Sequence, residues 1–261
     1  MNFGCIFDDS VKIWPDKEAL IYGSHRITYS QLEARTNRVA NGLRAIGIGP
    51  GDHVAVLIKN DHRFVETMLG ALRTGASVTP ATTRSHINTL VHVMTDSEAK
   101  VLFASGDFAD EAPQLGREAP GLEHVFLMDE RADGATEYDS WLNAQSEERL
   151  VADVDPQAIA SISYTSGSTG KPKGVLLSHA AMEWATRNLR RALLYGPDER
   201  CLLAVPMFHA NGMFAGLFSM LECGGSVVLL HDVDPVEMIE TIAVEQCTYT
   251  TGVPAMYKLM L

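Results

Sequence analysis

The chain has 261 residues, of which 46% are hydrophobic and 21% are charged, and its formal net charge is -12 at pH 7. This composition excludes a disordered or fibrous protein and is typical of a globular chain with a substantial core. The acidic balance argues against a nucleic-acid partner, because a phosphate backbone requires a basic protein face. The sequence has neither a basic leader before an apolar run nor a long apolar stretch, so it predicts a cytoplasmic protein without a transmembrane segment.

The spacing of cysteine and histidine gives no sign of a metal site. Cys5, Cys201, Cys223 and Cys247 are scattered without a CxxC pair, which predicts reduced core thiols and not zinc ligands or a disulfide framework. The histidines show no HExxH or comparable spacing, so a transition metal held by protein side chains is not expected.

The first predicted elements are a helix and a strand. Ser30 and Glu33 form a capping box, apolar residues follow at helical spacing, and Gly47 ends the helix. The run 53–58 is almost continuously apolar and predicts a strand covered on both faces. The glycines of the intervening GIGPGD precede a strand instead of following one, so they predict a turn and not a dinucleotide fingerprint.

Strand and helix patterns then alternate along the chain. The predicted elements are a helix over 63–73, a short apolar run to Pro80, a helix over 85–95 and a strand over 101–104. Residues 107–154 are acidic and less regular apart from a strand at 124–128. We interpret this region as surface elaboration.

The segment 159–177 carries the clearest functional signal. The apolar runs 159–164 and 175–177 predict buried strands, and the residues between them are almost all Ser, Thr, Gly, Lys and Pro. A flexible linker is one interpretation, but linkers join domains and do not lie between two core strands. Glycine lets successive N–H groups converge on phosphate oxygens, while hydroxyls and lysines add donors and charge. The segment therefore predicts a polyphosphate cradle. It differs from the nucleotide P-loop, because Thr165 replaces the first Gly of that pattern and Pro172 its Ser or Thr.

The rest of the chain continues the alternation of helices and strands. A helix with its apolar face at Met182 and Leu189 carries Arg187, Arg190 and Arg191, which we expect to face solvent. The predicted elements that follow are a strand over 202–205, a loop over 206–212, a helix over 213–222, a strand over 227–230 and a helix over 235–245. Repeated βα units predict an α/β protein with mostly parallel sheets covered by helices.

Two motifs resemble those of one family. The segment YTSGSTGKPKGV, residues 164–175, resembles the signature loop of the adenylate-forming enzymes, which include acyl-CoA synthetases, luciferases and peptide-synthetase adenylation domains. Phe208 and His209 resemble a second motif of that family. The resemblance implies that His209 and Lys173 are catalytic, with His209 beside the acyl pocket and the thiol channel. It assigns the β- and γ-phosphates of ATP to Thr165, Ser166, Gly167, Ser168, Thr169, Gly170 and Lys173.

The resemblance covers nearly the whole chain. It implies the N-terminal large-domain part of the adenylate-forming fold over 1–261, with approximate subdomains of 51–180 and of 1–50 joined to 181–261. The family's downstream YGxTE motif, ribose aspartate, hinge and small C-terminal domain do not occur in these residues. We therefore expect the N-terminal portion of a longer enzyme. The lack of those downstream groups predicts poor turnover by the chain on its own. Its apolar final residues predict self-association, with a homo-oligomer as one form of that association.

The resemblance also implies a reaction. It indicates an ATP-dependent ligase that activates a carboxylic acid, expected to be a fatty or related acyl acid, through an acyl-adenylate and transfers it to coenzyme A. Mg²⁺ would accompany ATP, and CoA would be a co-substrate. The sequence leaves open two alternatives: adenylation with another acceptor, such as a carrier protein or the oxygen of a luciferase-like reaction, and a catalytically incomplete nucleotide-binding fragment.

Overall fold

The computed structural model describes residues 1–165 and 171–260. Five residues of the predicted phosphate cradle therefore lie outside the described residues: Ser166, Gly167, Ser168, Thr169 and Gly170.

The chain divides into two compact units, each built from three separate stretches. Unit 1 comprises Met1–Cys5, Ala34–Ile58 and Glu66–Met182. Unit 2 comprises Ile6–Glu33, Lys59–Val65 and Glu183–Leu261.

Strands and helices alternate through most of the described chain. The strands are β1 Glu18–Tyr22, β2 His25–Thr28, β3 His53–Leu57, β4 Ser77–Pro80, β5 Val101–Ala104, β6 His124–Leu127, β7 Thr136–Glu137, β8 Ile159–Thr165, β9 Lys173–Ser178, β10 Arg200–Leu203, β11 Ser226–Leu229 and β12 Tyr249–Thr250. The α-helices are α1 Asp8–Ile13, α2 Tyr29–Ala45, α3 His62–Thr74, α4 Ile87–Asp96, α5 Glu111–Glu118, α6 Tyr138–Asn143, α7 His179–Leu193, α8 Ser219–Cys223, α9 Pro235–Val244 and α10 Pro254–Met260.

Unit 1 contains a sheet with the strand order β7-β6-β5-β3-β4-β8-β9. Its neighbouring strands pair in parallel, except that β8 and β9 form an antiparallel pair. The central strands β3, β4 and β5 are almost completely buried. A hydrophobic cluster joins residues of this sheet to apolar residues of α4 and α5, which is the arrangement expected of a covered parallel sheet.

Unit 2 contains a second sheet with the order β12-β10-β11-β1-β2. It is also parallel, except for the antiparallel pair of β1 and β2. The predicted α/β class with mostly parallel sheets and helices is thus confirmed. The predicted strand over 101–104 coincides with β5, and most other predicted boundaries differ by one to three residues.

The start of α2 differs from the prediction. The helix begins at Tyr29, and its first turn is closed by a reciprocal pair. The N–H of Gln31 donates to Oγ1 of Thr28 (3.2 Å), and the N–H of Thr28 donates to Oε1 of Gln31 (2.9 Å). The predicted capping box of Ser30 and Glu33 is therefore wrong. Both pairs fit the pattern of a hydroxyl followed three residues later by Glu or Gln, and the helix uses the earlier one.

Residues 107–154 were predicted to be surface elaboration, and this prediction is wrong for much of the region. They form α5, β6, β7 and α6. The ring of Phe126 stacks on Phe103 at 4.9 Å, and the ring of Trp141 lies 4.4 Å from Phe126. The buried hydroxyl of Tyr138 donates to the carboxylate of Glu66 at 2.6 Å. The acidic residues that suggested a solvated face lie mostly in the turns between these buried elements.

The helix predicted over 213–222 is a π-helix, Asn211–Phe218, which continues into α8. All but the first of its residues are buried. Arg187 and Arg190 of α7 are partly exposed, as predicted, but they also form ion pairs. Arg187 contacts Glu183 at 2.9 Å, and Arg190 contacts Glu222 at 2.9 Å.

The first five residues are anchored in unit 1. Phe3 is completely buried, and its N–H donates to Nδ1 of His179 at 3.0 Å. The buried guanidinium of Arg73 donates to the carbonyl of Gly4 at 3.0 Å. A side chain at Gly4 would place its Cβ 2.8 Å from the Leu69 carbonyl, so the close packing of this segment requires glycine.

All four cysteines lie within the described residues, and none forms a disulfide; Cys201 and Cys223 are buried, and Cys5 and Cys247 are half-buried. Within residues 1–165 and 171–260, no helix combines the length and apolar character needed to cross a membrane.

Candidate active site

The predicted phosphate cradle is carried by the hairpin of β8 and β9. The two strands pair in register from Ser161 opposite Leu177 to Thr165 opposite Lys173, the last described pair before residues 166–170. Strand β8 runs parallel to β4, so the loop leaves the sheet at the carboxyl edge of the parallel strands. Ligands of open α/β sheets bind at that edge. The structure thus brings Thr165 and Lys173 together.

β9 is more exposed than the sequence predicted. In the part of the chain that is described, it lies at the edge of its sheet. The side chains of Val175 and Leu176 are 45% and 59% exposed. The prediction that 175–177 is a buried strand is therefore wrong, although the hairpin itself is formed.

Two lysines follow residues 166–170. Lys171 and Lys173 are both exposed, and neither forms an ion pair with a described residue. Because no carboxylate among these residues neutralises them, their charge is available to an anionic ligand. Pro172 lies between them and fixes one backbone angle of the segment.

Tyr164 precedes the loop and is held by two contacts. It pairs across the hairpin with Gly174, where a Cβ would lie 3.4 Å from the tyrosine ring. Its hydroxyl donates to Oδ2 of Asp96 at 2.7 Å. Partial burial and the Asp96 carboxylate raise the pKa of Tyr164 above its usual range, so the hydroxyl remains a donor.

Helix α4, which carries Asp96, makes a second contact at the other end of the loop. Nε2 of His92 lies 3.3 Å from the carbonyl oxygen of Pro172. A carbonyl can only accept, so this nitrogen must carry the proton of the bond. His92 and Asp96 were not singled out from the sequence, because their partners lie 80 and 68 residues further along the chain.

The other predicted site residue, His209, belongs to unit 2. It is exposed, whereas the preceding Phe208 is 7% exposed. Their rings lie 4.4 Å apart and are tilted by 48°. The N–H of His209 donates to the carbonyl of Pro206 at 3.1 Å. The residues predicted to bind phosphate belong to unit 1, so the two predicted groups are carried by different units.

The loop that carries His209 is held by Asn60. The Asn60 side chain is 3% exposed. Its Nδ2 donates to the carbonyls of Leu203 (3.3 Å) and Val205 (3.1 Å), and its Oδ1 accepts from the N–H of Met207 (2.9 Å). All the hydrogen-bonding capacity of this carboxamide except one lone pair is used on the loop. No local sequence pattern indicates this role.

The π-helix begins directly after the loop. The N–H of Met213 donates to the carbonyl of His209 at 2.9 Å. A Cβ at Gly212 would lie 2.6 Å from the carbonyl oxygen of Pro206, so only glycine permits this close return of the backbone. π-helical turns are uncommon and frequently lie at functional sites. His209 is thus flanked by a fixed segment on each side.

Among the described residues, no group of three or more His, Cys, Asp or Glu side chains is placed to hold a metal ion. The charged groups of the candidate site in unit 1 are cations and one hydrogen-bonded carboxylate. These groups suit an anionic ligand. A metal ion at this site would be bound mainly by the ligand's own oxygens.

Comparison with known proteins identifies the family. The profile of the AMP-binding enzyme family matches residues 7–261. A feruloyl-CoA synthase of Amycolatopsis sp is 33% identical over 244 residues, which are 94% of this chain and 47% of that protein. Tyrocidine synthase 3 of Brevibacillus parabrevis is 30% identical over 259 residues, which are 98% of this chain and 4% of that protein.

The fold agrees with a solved structure. The crystal structure of the anthranilate CoA ligase AuaEII in complex with anthranoyl-AMP superimposes with a TM-score of 0.93 and 22% identity, and covers 99% of this chain and 51% of that one. At that identity the likeness concerns the fold alone. The chain spans about half the length of the feruloyl-CoA synthase that it matches. Because the family profile matches almost the whole chain, this protein belongs to the AMP-binding enzyme family.

Proposed function

We propose that this chain is the nucleotide-binding portion of an ATP-dependent acid–CoA ligase. The observation that carries the proposal is the β8–β9 hairpin, which presents the signature segment at the carboxyl edge of a parallel sheet with Lys171 and Lys173 exposed beside it. Membership of the AMP-binding enzyme family supports the same assignment.

The proposed reaction has two steps. A carboxylate oxygen of the acid attacks the α-phosphorus of ATP, the bond to the β-phosphate breaks, and pyrophosphate leaves. The thiol sulfur of CoA then attacks the acyl carbon, the bond to AMP breaks, and the thiol proton is lost. Both steps depend on holding the reactants and on stabilising charge over phosphate oxygens.

In this proposal, residues 165–170 and Lys173 bind the β- and γ-phosphates. Lys173 supplies a charge that a backbone cradle lacks. Mg²⁺ enters with ATP and shields its phosphate charge. His209 borders the acyl group and the incoming thiol, and Asn60 holds its loop.

The acid is proposed to be hydrophobic, and two classes have support. The resemblance of the sequence to acyl-CoA synthetases favours a fatty or related acyl acid. A relative named for feruloyl-CoA favours an aromatic acid. The acid panel described below separates these two classes.

A second candidate function has a specific observation in its favour. Tyrocidine synthase 3, a relative at 30% identity, is named as a synthase and not as a CoA ligase. Adenylation followed by transfer to the thiol of a carrier protein would use the same phosphate cradle. The acceptor alone distinguishes the two functions.

The test is ATP–pyrophosphate exchange by the 261-residue chain with fatty and aromatic acids, followed by transfer to CoA or to a phosphopantetheine carrier. We expect acid-dependent exchange at a low rate, in agreement with the poor turnover predicted for the chain on its own. Lys173→Ala combined with Gly170→Val should weaken ATP binding roughly ten-fold or more, because a charge-assisted contact is lost and backbone approach is blocked.

Lys12→Ala is the matched control, because Lys12 is exposed on α1 and pairs only with Asp9 among the residues described. ATP binding without exchange would identify a catalytically incomplete nucleotide-binding chain. Unchanged ATP binding in the double variant would contradict the phosphate assignment.

A further inference from the structure

Helix α4 contacts both described ends of the signature segment. Asp96 accepts the Tyr164 hydroxyl at 2.7 Å, and His92 lies 3.3 Å from the Pro172 carbonyl. Tyr164 directly precedes residues 165–170, and Pro172 follows them after Lys171. Residues four apart on a helix lie on the same face, so one face of α4 reaches both sides of the loop.

The Tyr164 ring lies beside Gly174, its cross-strand neighbour on β9. At Gly174, a Cβ would lie 2.9 Å from Cγ2 of Ile162 and 3.4 Å from the tyrosine ring. The ring packs against the hydrophobic cluster that contains residues of α4. The ring therefore links the hairpin stem to the helix through both its apolar body and its hydroxyl.

The contact at Pro172 acts on the backbone between the two exposed lysines. Proline fixes one of the two soft angles of its residue, and a hydrogen bond to its carbonyl restrains the next peptide plane. The direction in which the chain passes from Lys171 to Lys173 is thus restrained from α4.

We propose that Asp96 and His92 are positioning residues for the nucleotide phosphates, which they set in place by holding Tyr164 and Pro172 at the two ends of the signature segment. The inference rests on the proposed function, since it assumes that this segment binds ATP. Neither residue is required to touch the nucleotide. Because Tyr164 and Pro172 are already held before a ligand binds, less conformational freedom is lost at these two positions on binding, so the affinity is higher than it would be without the two contacts.

A contact that only stabilises the fold lowers stability when it is removed, whereas a contact that positions the phosphate-binding segment lowers ATP affinity. Asp96 is exposed, so its hydrogen bond to Tyr164 contributes little to the stability of the fold. Its loss should nevertheless lower ATP affinity. Affinity and stability therefore have to be measured on the same variants.

The experiment uses the full chain with MgATP as the probe. Isothermal titration calorimetry gives the Kd, and urea unfolding gives the stability. The variants are Tyr164→Phe, Asp96→Ala and His92→Ala, with Asp96→Asn and His92→Gln as conservative replacements that keep an acceptor and a donor. Asn88→Ala is the control, because Asn88 is an exposed residue of α4 whose side chain makes neither contact.

We expect Tyr164→Phe, Asp96→Ala and His92→Ala each to weaken MgATP binding roughly two- to ten-fold, the range that one hydrogen bond supplies. The Tyr164→Phe/Asp96→Ala double variant should be no weaker than either single variant, because both remove the same bond. Asp96→Asn and His92→Gln should recover most of the affinity, and Asn88→Ala should match the wild type.

Three results would overturn the inference. Wild-type affinity in Tyr164→Phe and Asp96→Ala would exclude positioning by α4 and leave the proposed function intact. Urea unfolding gives the fraction of each variant that is unfolded in the absence of denaturant. If this fraction fully explains the loss of affinity, the contact has a structural role only. If the wild-type chain does not bind MgATP, both the proposed function and the positioning role of Asp96 and His92 are wrong.

Discussion

At the scale of single residues, a buried carboxamide controls the loop that carries His209. Asn60 makes three hydrogen bonds to backbone groups of Leu203, Val205 and Met207. Because these groups surround a side chain that is 3% exposed, water cannot readily replace it. Unpaired backbone groups in such surroundings are costly.

Asn60→Ala should therefore lower the free energy of unfolding by about 2 to 4 kcal/mol, since three hydrogen bonds are lost and their backbone partners remain buried. Urea denaturation at pH 7 measures this loss. Asn88→Ala, an exposed substitution, should stay within about 0.5 kcal/mol of the wild type. A loss below about 1 kcal/mol for Asn60→Ala would mean that the loop finds other partners.

His209 should behave in the opposite way. It is exposed, so His209→Ala removes little buried surface and should cost less than about 1 kcal/mol of stability. If His209 borders the acyl and thiol groups, the substitution should impair acid affinity or acyl transfer by roughly ten-fold or more. Steady-state kinetics with a reactive acid, beside urea unfolding, measures both effects.

His25→Ala provides a comparison, because His25 is an exposed histidine of the same unit. Loss of the fold in His209→Ala without a separate kinetic defect would assign His209 a structural role only.

At the scale of elements, hydrogen bonds to capping side chains set the starts of two helices. Thr28 and Gln31 cap α2, and the side chain of Asp234 accepts from two N–H groups at the start of α9. Each such cap satisfies donors that the first helical turn cannot pair internally.

Thr28→Ala should lower the free energy of unfolding by about 1 kcal/mol, the usual cost of removing an N-terminal cap. Ser30→Ala should cost less than about 0.5 kcal/mol, because among the described residues its hydroxyl contacts only Oγ1 of Thr28. Thermal or urea unfolding of the two variants decides between the two capping boxes. The reverse order of effects would restore the box of Ser30 and Glu33.

The sequence located most elements because hydrophobic period and chain breaks are local signals. Strand β5 and the start of α9 at Pro235 were predicted correctly for this reason. The exposure of β9 could not be predicted, since its apolar residues resemble those of a buried strand. The contacts of Asn60, His92 and Asp96 join residues that are far apart in the sequence, and no local pattern reports them.

At the scale of the whole molecule, the stability of unit 1 depends on its first residues. The Phe3 N–H donates to Nδ1 of a buried His179. An imidazole that accepts at Nδ1 must be neutral. Burial, with a smaller effect of the nearby amino terminus, lowers the pKa of His179 to about 4.

This shift predicts a pH dependence. The unfolded chain binds a proton at His179 near its ordinary pKa of about 6.5, and the folded chain does so only near pH 4. The contribution of neutral His179 to the free energy of unfolding is complete above the pKa of the unfolded chain. It is lost as the pH falls from about 6.5 to about 4. It reaches about 3 kcal/mol at most.

The measurement is urea unfolding between pH 4 and pH 7.5. His179→Gln offers an acceptor for the Phe3 N–H but does not titrate, so its stability should fall less steeply in this window. Parallel curves for the wild type and His179→Gln would contradict the assignment of the pH dependence to His179.

The division into discontinuous units also has a consequence during synthesis. Unit 1 has all of its stretches once Met182 is made, whereas unit 2 needs the stretch from Glu183 onwards. In unit 2, β1 pairs with β11 through Leu20 and Val227. At about 5 to 20 residues per second, a ribosome needs roughly 10 to 40 s between these two residues.

During that interval β1 can pair with β2 on one edge, but its partner on the other edge has not yet been made. Unpaired strand edges are templates for association with other chains. We expect a ribosome-associated chaperone to bind β1 until β11 emerges. Aggregation of nascent chains should be strongest when translation is faster than chaperone binding. Since each unit is assembled from three stretches, no single protease cut would release either unit as one continuous piece.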